Sequence, residues 1–259
     1  MVVYDINPAS VRKFVDMGAS SAATVKELAA QVDVCITCVP MPKDAKGVLL
    51  GPDGVFENLP EGGVHFDLST LDIETVVMLE AEAAKLGKKY LVIPMGKGPA
   101  FAADGTCPLF GGGDKATYDK YEECLLKKMG KPAYIGDVKA GCALKAHPEP
   151  HGHEHQRRLL RKHQSSPSSP TSPRNSSSNR SPIQGLLLPV QEHRFRHLRR
   201  DFEHPVFTVN LAFKDVRLGI EMCESFGQRV PMMSRAREVF AATAEKYGEE
   251  NFTATFKML

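Results

Sequence analysis

The chain has 259 residues, of which 42% are hydrophobic and 25% are charged, and its formal net charge is +2. These values are ordinary for a globular protein, and the small net charge points to no particular class of partner. No run of 18 apolar residues occurs, which excludes a typical membrane-spanning helix.

Residues 1–138 alternate between strand and helix patterns. MVVYD predicts a first strand that stops at Asp5, and Asn7-Pro8 predicts a helix that ends at Gly18. Further strands are predicted in VDVCITCVP, GVHFDLST, YLVIPM, CPLFGGG and AYIGDV, with helices in TVKELAAQV, DIETVVMLEAEAAKLGKK and DKATYDKYEECLLKKMGK. This alternation predicts an α/β fold: a Rossmann-like, doubly wound and mostly parallel sheet with helices on both faces.

Residues 206–259 carry helix patterns only. The segments VNLAFKDVRLGIEMCESFG and PMMSRAREVFAATAEKYG have apolar residues at helical spacing, and a short segment, NFTATFKML, follows them. We therefore predict an all-α second domain. The predicted domains are 1–138, a partial dinucleotide-binding domain, and 139–259, a helical domain in which 146–200 is anomalous.

The segment 146–200 differs in composition from the rest of the chain. It holds nine arginines and one lysine against three glutamates, and eight of the nine histidines lie in 147–204. Its SSPSSPTSPRNSSSNRSP run is a low-complexity sequence that cannot bury enough apolar surface to fold. A structureless insert of this length is unusual inside a compact enzyme.

Three interpretations of this segment remain open besides an ordinary linker. His151, His153 and His155 have the spacing of a weak metal site, but nothing nearby completes a closed coordination shell. The arginines are typical of a disordered arm attracted to nucleic acid, yet aromatic residues are not interleaved with them. We favour a third hypothesis, that 146–200 is an out-of-frame translation. Regrouping the codons of AHPEPHGH by one base permits Leu-Ile-Leu-Asn-Leu-Met-Gly, an apolar helix.

The six cysteines are scattered among apolar neighbours, as buried free thiols are in a reducing compartment. Cys35 and Cys38 formally make a C-x-x-C motif. Residues three apart on a strand point to opposite faces, so we expect neither joint metal binding nor redox pairing, and we predict no metal site.

Polar residues follow three of the predicted strands, where a doubly wound sheet binds its ligand. Asp5 ends the first strand, at the place of the acid that hydrogen-bonds an adenosine ribose in dinucleotide-binding folds. An aspartate there is also a common helix cap. The segments CVPMP (38–42) and DLST (67–70) end two further strands and face the same crevice.

Eight motifs together resemble the β-hydroxyacid dehydrogenase family, which includes 3-hydroxyisobutyrate dehydrogenase and tartronate semialdehyde reductase. They are VYDINP, GA (18–19), ITCVPMPKDAKGVLLGPDGV, DLST, PMGKGPAFAADGT, LFGGG, IGDVKAGCALK and LAFKDVRLGIE, in this order. The resemblance covers 1–145 and 202–259. It implies a Rossmann domain, a helical domain, and oxidation of a small 3-hydroxy acid with NAD or NADP.

The resemblance also implies roles for individual residues. Lys145, at the end of the G-x-V-x-x-G-x-x-x-K pattern, corresponds to the catalytic lysine, since an ammonium stabilises a developing alkoxide or carbonyl oxygen. The residues expected to contact the cofactor are Asp5, Val39, Pro40, Thr70 and Lys214, and those expected to bind substrate are Gly96, Lys97 and Gly98. Asp5 favours NAD, because an acid repels the 2′-phosphate of the alternative cofactor, NADP.

Three departures from the family pattern qualify these expectations. The glycine-rich turn that cradles a pyrophosphate, and the strand before it, are expected upstream of VYDINP, and neither is present in the chain. Gly96 replaces a hydroxyl residue of the family's substrate loop, where Lys97 supplies a positive charge. Glu149, between two prolines, replaces an asparagine of an apolar helix. Whether the polypeptide as written binds a cofactor is left open.

The expected partners are a small hydroxy acid and, by resemblance, further copies of the chain, with no membrane. The alternative function is a non-catalytic scaffold or nucleic-acid-associated protein that uses the basic segment 146–200. The compartment, cytoplasmic or mitochondrial, is not determined by the sequence.

Overall fold

The computed structural model of the chain describes residues 1–146, 202–205 and 207–258. Apart from Ala146, the proposed out-of-frame segment lies outside these residues, and so does its histidine motif. Two compact units are described. One holds residues 1–146 with 221–228, and the other holds 202–205, 207–220 and 229–258. The predicted boundary between 1–138 and 139–259 stays a prediction.

The first unit contains the α/β pattern. Its strands are β1 (Val2–Val3), β2 (Ser20–Ser21), β3 (Val34–Thr37), β4 (Val64–Asp67), β5 (Lys89–Val92), β6 (Pro108–Gly112) and β7 (Lys131–Gly136). Its helices are α1 (Pro8–Val15), α2 (Val25–Ala29), α3 (Pro42–Leu49), α4 (Val55–Asn58), α5 (Ile73–Lys85), α6 (Pro99–Ala103), α7 (Lys115–Tyr121), α8 (Lys127–Met129) and α9 (Val138–Ala146), with a π-helical turn (Glu122–Leu126) before α8. The pattern of the sequence did not predict α3, α4, α6 or β2.

The main sheet has the strand order β3-β4-β5-β6-β7. Its pairs are parallel except β5 with β6, which is antiparallel. After β5 the chain doubles back, so that Met95 bridges Leu109 in antiparallel fashion. β1 and β2 pair in parallel as a separate two-stranded sheet. The predicted, mostly parallel α/β sheet is confirmed, with one reversed strand pair.

Side-chain caps define where several helices of this unit begin. A capping oxygen accepts the first free backbone N–H groups, which have no partner within the helix. The capping residues are Asn7 for α1, Thr24 for α2, Asp72 for α5 and Asp114 for α7. The predicted start of α1 at Asn7-Pro8 is therefore confirmed.

The β4 strand is buried on both faces, with every residue from Val64 to Asp67 inside. Alternate side chains of a strand point to opposite faces. Val64 and Phe66 pack in one apolar cluster, with residues such as Leu91, Leu109 and Tyr118. His65 and Asp67 point to the opposite face, where Phe56, Leu79 and Tyr90 belong to the other cluster. Two polar side chains are thus inserted in a buried apolar layer.

The second unit is helical, as predicted. It contains residues 209–220 of α10 (Val209–Ser225), then α11 (Pro231–Tyr247) and a 3₁₀ helix (Phe252–Met258). Its core includes Phe202, Val209 and Ala254. Within the described ranges, no helix has both the length and the apolar character that crossing a bilayer requires.

Candidate functional site

The carboxyl ends of β3, β4 and β5 lie side by side, because these strands pair in parallel. Thr37 pairs with Asp67, and Asp67 pairs with Val92, at the last position of each strand. The segments that follow therefore leave the sheet along one edge. An open α/β sheet binds its ligand at this edge.

A narrow cleft at this edge brings Thr70 together with Lys145. It contains about 190 Å³ of empty space, counting the solvent at its mouth. Both side chains are half-buried, so each is shielded by protein on one side and accessible on the other. The lining residues are Ser69, Thr70, Leu71, Val76, Val92, Pro94, Cys142 and Lys145.

Helix α9 carries Lys145 to the cleft. Cys142, three residues earlier and therefore on the same helical face, donates a hydrogen bond to the Leu71 carbonyl at 3.1 Å. Burial raises the pKa of the Cys142 thiol to about 12, so this cysteine stays neutral and is a poor nucleophile. Its contact instead fixes the helix against the segment that carries Thr70.

Val39 and Pro40 follow β3, as their predicted cofactor role requires. The Val39 N–H donates to the Ser69 hydroxyl oxygen at 2.9 Å, which ties the end of β3 to the end of β4. Val39 is half-buried and Pro40 is exposed. This hydrogen bond connects Val39 to the lining of the cleft through Ser69.

Asp67 organises the end of β4 and was not predicted as a site residue. Its side chain accepts the Ser69 N–H at 2.9 Å and the Tyr90 hydroxyl at 3.1 Å. Burial raises the pKa of Asp67, and hydrogen bonds from the hydroxyls of Ser69, Tyr90 and Thr37 oppose that rise. The available signal was the polar pair in the apolar strand VHFDL, because buried polar groups need partners.

Asp5 is exposed just beyond β1. Its carboxylate accepts the Asn7 N–H at 2.7 Å, while Asn7 itself caps α1. The helix-cap role considered for Asp5 therefore belongs to Asn7, and Asp5 stabilises the turn before the helix. One Asp5 oxygen makes this bond, and a carboxylate has further acceptor capacity for a ribose hydroxyl.

The predicted substrate segment folds back against β6. A Cβ on Gly96 would lie 2.9 Å from Pro108 Cγ and 3.2 Å from Phe110 Cε2, so glycine fits where a larger residue would displace these rings. Lys97 has a left-handed φ of 62°, which is uncommon for a residue with a side chain. Its ammonium lies 4.3 Å from the centre of the Phe101 ring. The neighbouring Gly98 is half-buried.

Lys214 belongs to the second unit. Its side chain is only 6% exposed, and its ammonium lies 3.0 Å from the Asp215 carboxylate. The proposed contact of Lys214 with the cofactor stays a prediction.

The described residues fit parts of a dinucleotide. Asp5 offers a carboxylate suited to a ribose, and the cleft offers the Thr70 hydroxyl and the Lys145 ammonium. A G-x-G-x-x-G turn for the pyrophosphate does not occur in the sequence.

Within the described ranges, no three His, Cys, Asp or Glu side chains gather as metal ligands would. Cys35 is buried and Cys38 is exposed, both as free thiols.

Comparison with known proteins gives a family match and two kinds of relative. Residues 1–141 match the family described as the NAD binding domain of 6-phosphogluconate dehydrogenase. The cytokine-like nuclear factor N-PAC of Xenopus tropicalis is 32% identical over 126 residues, which are 48% of this chain and 23% of that protein. The probable 3-hydroxyisobutyrate dehydrogenase-like 3, mitochondrial, of Arabidopsis thaliana is 33% identical over 128 residues, 49% of this chain and 40% of that protein.

These curated relatives are longer than the matched region, which spans about a quarter of the N-PAC proteins. Solved structures match the fold over the whole chain. A 3-hydroxyisobutyrate dehydrogenase from Salmonella typhimurium has a TM-score of 0.76 at 21% identity, covering 100% of this chain and 90% of that one. Psf3, solved with NADP⁺ and 2-OPP, has a TM-score of 0.73 at 17% identity, covering 99% and 90%. At such identities the likeness concerns the fold.

Proposed function

This chain belongs to the β-hydroxyacid dehydrogenase family, with the NAD binding domain of 6-phosphogluconate dehydrogenase, and we propose that it is an oxidoreductase. Its proposed reaction is hydride transfer between a nicotinamide cofactor and a small 3-hydroxy acid. The substrate would be similar to 3-hydroxyisobutyrate or to tartronate semialdehyde.

One observation carries this proposal: Thr70 and Lys145 line the same cleft at the carboxyl edge of the sheet. The two residues are far apart in sequence and lie on different elements. A lysine whose only role is to be solvated at the end of a helix would not be expected to line a cleft beside a strand end. Its place beside Thr70 supports a role in chemistry on a ligand bound there.

In this proposal Lys145 acts on the oxygen of the reacting carbon. Nicotinamide, when bound, would supply the hydride acceptor for the carbinol carbon. In the reductive direction the Lys145 ammonium would donate its proton to the substrate carbonyl oxygen as negative charge develops there, and in the oxidative direction the neutral Lys145 amine would take the hydroxyl proton. The apolar wall of Val76, Val92 and Pro94 lowers the local dielectric and strengthens this interaction.

The remaining site residues hold the two ligands. Val39, Pro40 and Thr70 contact the cofactor beside the strand ends, and Asp5 binds its adenosine ribose. The family resemblance implies a cofactor contact for Lys214 as well. The segment 96–98 binds the substrate: Gly96 and Gly98 allow close approach of the backbone, and the Lys97 ammonium attracts a carboxylate. Among the described residues Lys97 makes no ion pair, and Phe101 is its neighbour, so its charge is available to a ligand.

The experiment that tests the proposal is titration of NADH fluorescence, followed by turnover assays with 3-hydroxyisobutyrate and with glycerate, the 3-hydroxy acid that is oxidised to tartronate semialdehyde. We expect saturable NADH binding that is tighter than NADPH binding, and reduction of NAD⁺ by one of the acids. A chain that is folded by circular dichroism but does not alter NADH fluorescence would contradict it.

The second candidate is a non-catalytic protein associated with nucleic acid. It is favoured by the similarity to proteins named as nuclear factors and by the basic composition of 146–200. A gel-shift assay with duplex DNA and with RNA, repeated over a range of salt concentrations, separates the two functions. Salt-dependent binding without an NADH response favours the second candidate, because phosphate contacts weaken as salt rises.

A further inference from the structure

The ends of β3 and β4 are joined by a chain of buried hydrogen bonds that centres on Asp67. The Val39 N–H donates to the Ser69 hydroxyl oxygen at 2.9 Å, and the Ser69 N–H donates to the Asp67 carboxylate at 2.9 Å. Asp67 is 1% exposed and Ser69 is 5% exposed. Both side chains are therefore largely withdrawn from solvent.

The direction of each hydrogen bond follows from what the partners are able to donate. Val39 offers only its N–H, so the Ser69 hydroxyl oxygen accepts there, while the Ser69 N–H donates to the Asp67 carboxylate. Ser69 thus accepts one bond through its side chain and donates one through its backbone. These bonds fix the orientation of the Ser69 side chain and of the backbone on which Thr70 follows.

A second layer holds Asp67 from behind. The Tyr90 hydroxyl donates to its carboxylate at 3.1 Å. Thr37 Oγ1 and His65 Nε2, which lie 3.0 Å apart, share a buried hydrogen bond beside it. His65 Nδ1 has no partner among the described residues.

The hydrogen-bonded residues around Asp67 do more than fill the core, because those nearest the sheet edge border the cleft. Ser69 and Thr70 line the cleft directly, and Val39 is attached to it through Ser69. The residues proposed to contact the cofactor from β3 and from β4 are therefore fixed relative to each other by two side chains, Asp67 and Ser69. No ligand contact has to be invoked for Asp67 itself, which lies behind the strand tip.

We propose that Asp67 and Ser69 form a clasp that sets the spacing between the 38–40 and 69–70 segments, so that both are preorganised for the cofactor. This inference rests on the proposed function and adds two positioning residues to it. Preorganisation contributes to affinity because a loose segment must be ordered when the ligand binds. The clasp should therefore affect the Kd for NADH more than it affects the fold.

The test uses the full chain with NADH as the probe. Ser69→Ala removes the acceptor of the Val39 N–H, and Asp67→Asn replaces one acceptor oxygen by an NH₂ donor. We expect each to raise the Kd for NADH about tenfold, since a buried donor loses its partner. Ser69→Thr retains a hydroxyl and is expected to restore the Kd to within about twofold of the wild-type value.

The matched control is Asp114→Asn. Asp114 also accepts a backbone N–H and a hydroxyl, both from Thr117, but it caps α7 and does not line the cleft. We expect this variant to lose stability and to keep the wild-type Kd for NADH. A Kd raised equally in Asp114→Asn and Asp67→Asn would overturn the clasp, because loss of stability alone would then explain both.

Hydrogen exchange at the Val39 amide gives a readout that does not depend on the cofactor. The amide should exchange slowly in the wild-type chain and in Ser69→Thr, and much faster in Ser69→Ala. Unchanged exchange, or an unchanged Kd for NADH in Ser69→Ala, overturns the clasp while leaving the proposed function intact. A wild-type chain that does not bind NADH overturns the proposed function, and the role of the clasp in cofactor binding with it.

Discussion

Gly112 of β6 and Gly141 of α9 are in direct backbone contact. A Cβ on Gly141 would lie 2.9 Å from the Gly112 Cα and 2.9 Å from a Val92 methyl carbon. Only two residues without side chains allow the helix to approach the strand so closely. This contact sets the height of α9 above the sheet, and therefore the position of Lys145 one turn further along the helix.

Replacing Gly141 by alanine should push α9 away from β6. We expect the free energy of unfolding to fall by about 1–3 kcal/mol, as for other overpacked cores. Urea unfolding followed by circular dichroism measures the loss. Gly47→Ala is the control, because a Cβ there meets nothing within 4 Å and alanine favours the helix α3. A Gly141→Ala chain as stable as Gly47→Ala would contradict the close contact.

Lys145→Ala should abolish turnover and leave NADH binding largely intact. Loss of a positioned proton donor typically lowers kcat by about 10²–10⁴-fold. The measurements are kcat with 3-hydroxyisobutyrate or glycerate and the Kd for NADH. Lys139→Ala is the matched control, since Lys139 lies on the same helix but is exposed. Retained activity in Lys145→Ala would refute the assigned role.

Asp5→Asn should weaken the preference for NADH over NADPH. The amide keeps an oxygen that can accept the Asn7 N–H, so the turn before α1 is retained, while the negative charge that repels a 2′-phosphate is lost. We expect the ratio of the two Kd values to shift toward NADPH by about tenfold, or roughly 1.4 kcal/mol. Asp16→Asn, an exposed aspartate after the same helix, is the control. An unchanged ratio in Asp5→Asn would exclude the ribose contact.

His65 should make the stability of the chain depend on pH. Burial lowers the pKa of His65 from 6.5 to about 3, so the folded state keeps it neutral in mild acid while the unfolded state takes up a proton. Stability is therefore lost as the pH falls from about 6.5 toward 3. Between pH 7.5 and pH 5 the expected loss from His65 is about 2 kcal/mol.

The pH effect is measured by urea unfolding at both pH values, in the wild-type chain and in His65→Phe. Phenylalanine keeps an aromatic ring beside Tyr90 and Phe56 but cannot titrate. Asp67, whose pKa is raised by burial, contributes with the opposite sign, and the comparison of the two chains largely cancels its contribution. Equal pH dependence in both chains would show that His65 is not buried in its neutral form.

Much of the fold could be predicted from local sequence. The strand VHFD and the helix that starts after Asp72 are each encoded by nearby residues: an apolar run in the first case, a capping carboxylate and helical spacing in the second. The family motifs likewise identified Thr70 and Lys145 as candidates. The strand and helix predictions succeeded because burial pattern and capping are properties of a short segment.

Other features depend on contacts between distant segments. The reversal of β6 against β5, and the absence of space for a side chain at Gly96, arise where β6 packs on the 94–96 segment. From the sequence alone, Asp67 can be recognised only as a polar residue at the end of a strand. Its role in the site appears when the Tyr90 hydroxyl from β5 and the Ser69 N–H both donate to its carboxylate.

Local sequence patterns sufficed for the alternation of strands and helices and for the helical character of the second unit, and the family motifs named candidate site residues. The tertiary structure was needed for the order of the strands, the meeting of Thr70 with Lys145, and the hydrogen bonds that hold the cleft edge. The reason is physical: periodicity and capping act over a few residues, whereas burial of a carboxylate or the close approach of two glycines requires segments far apart in the chain.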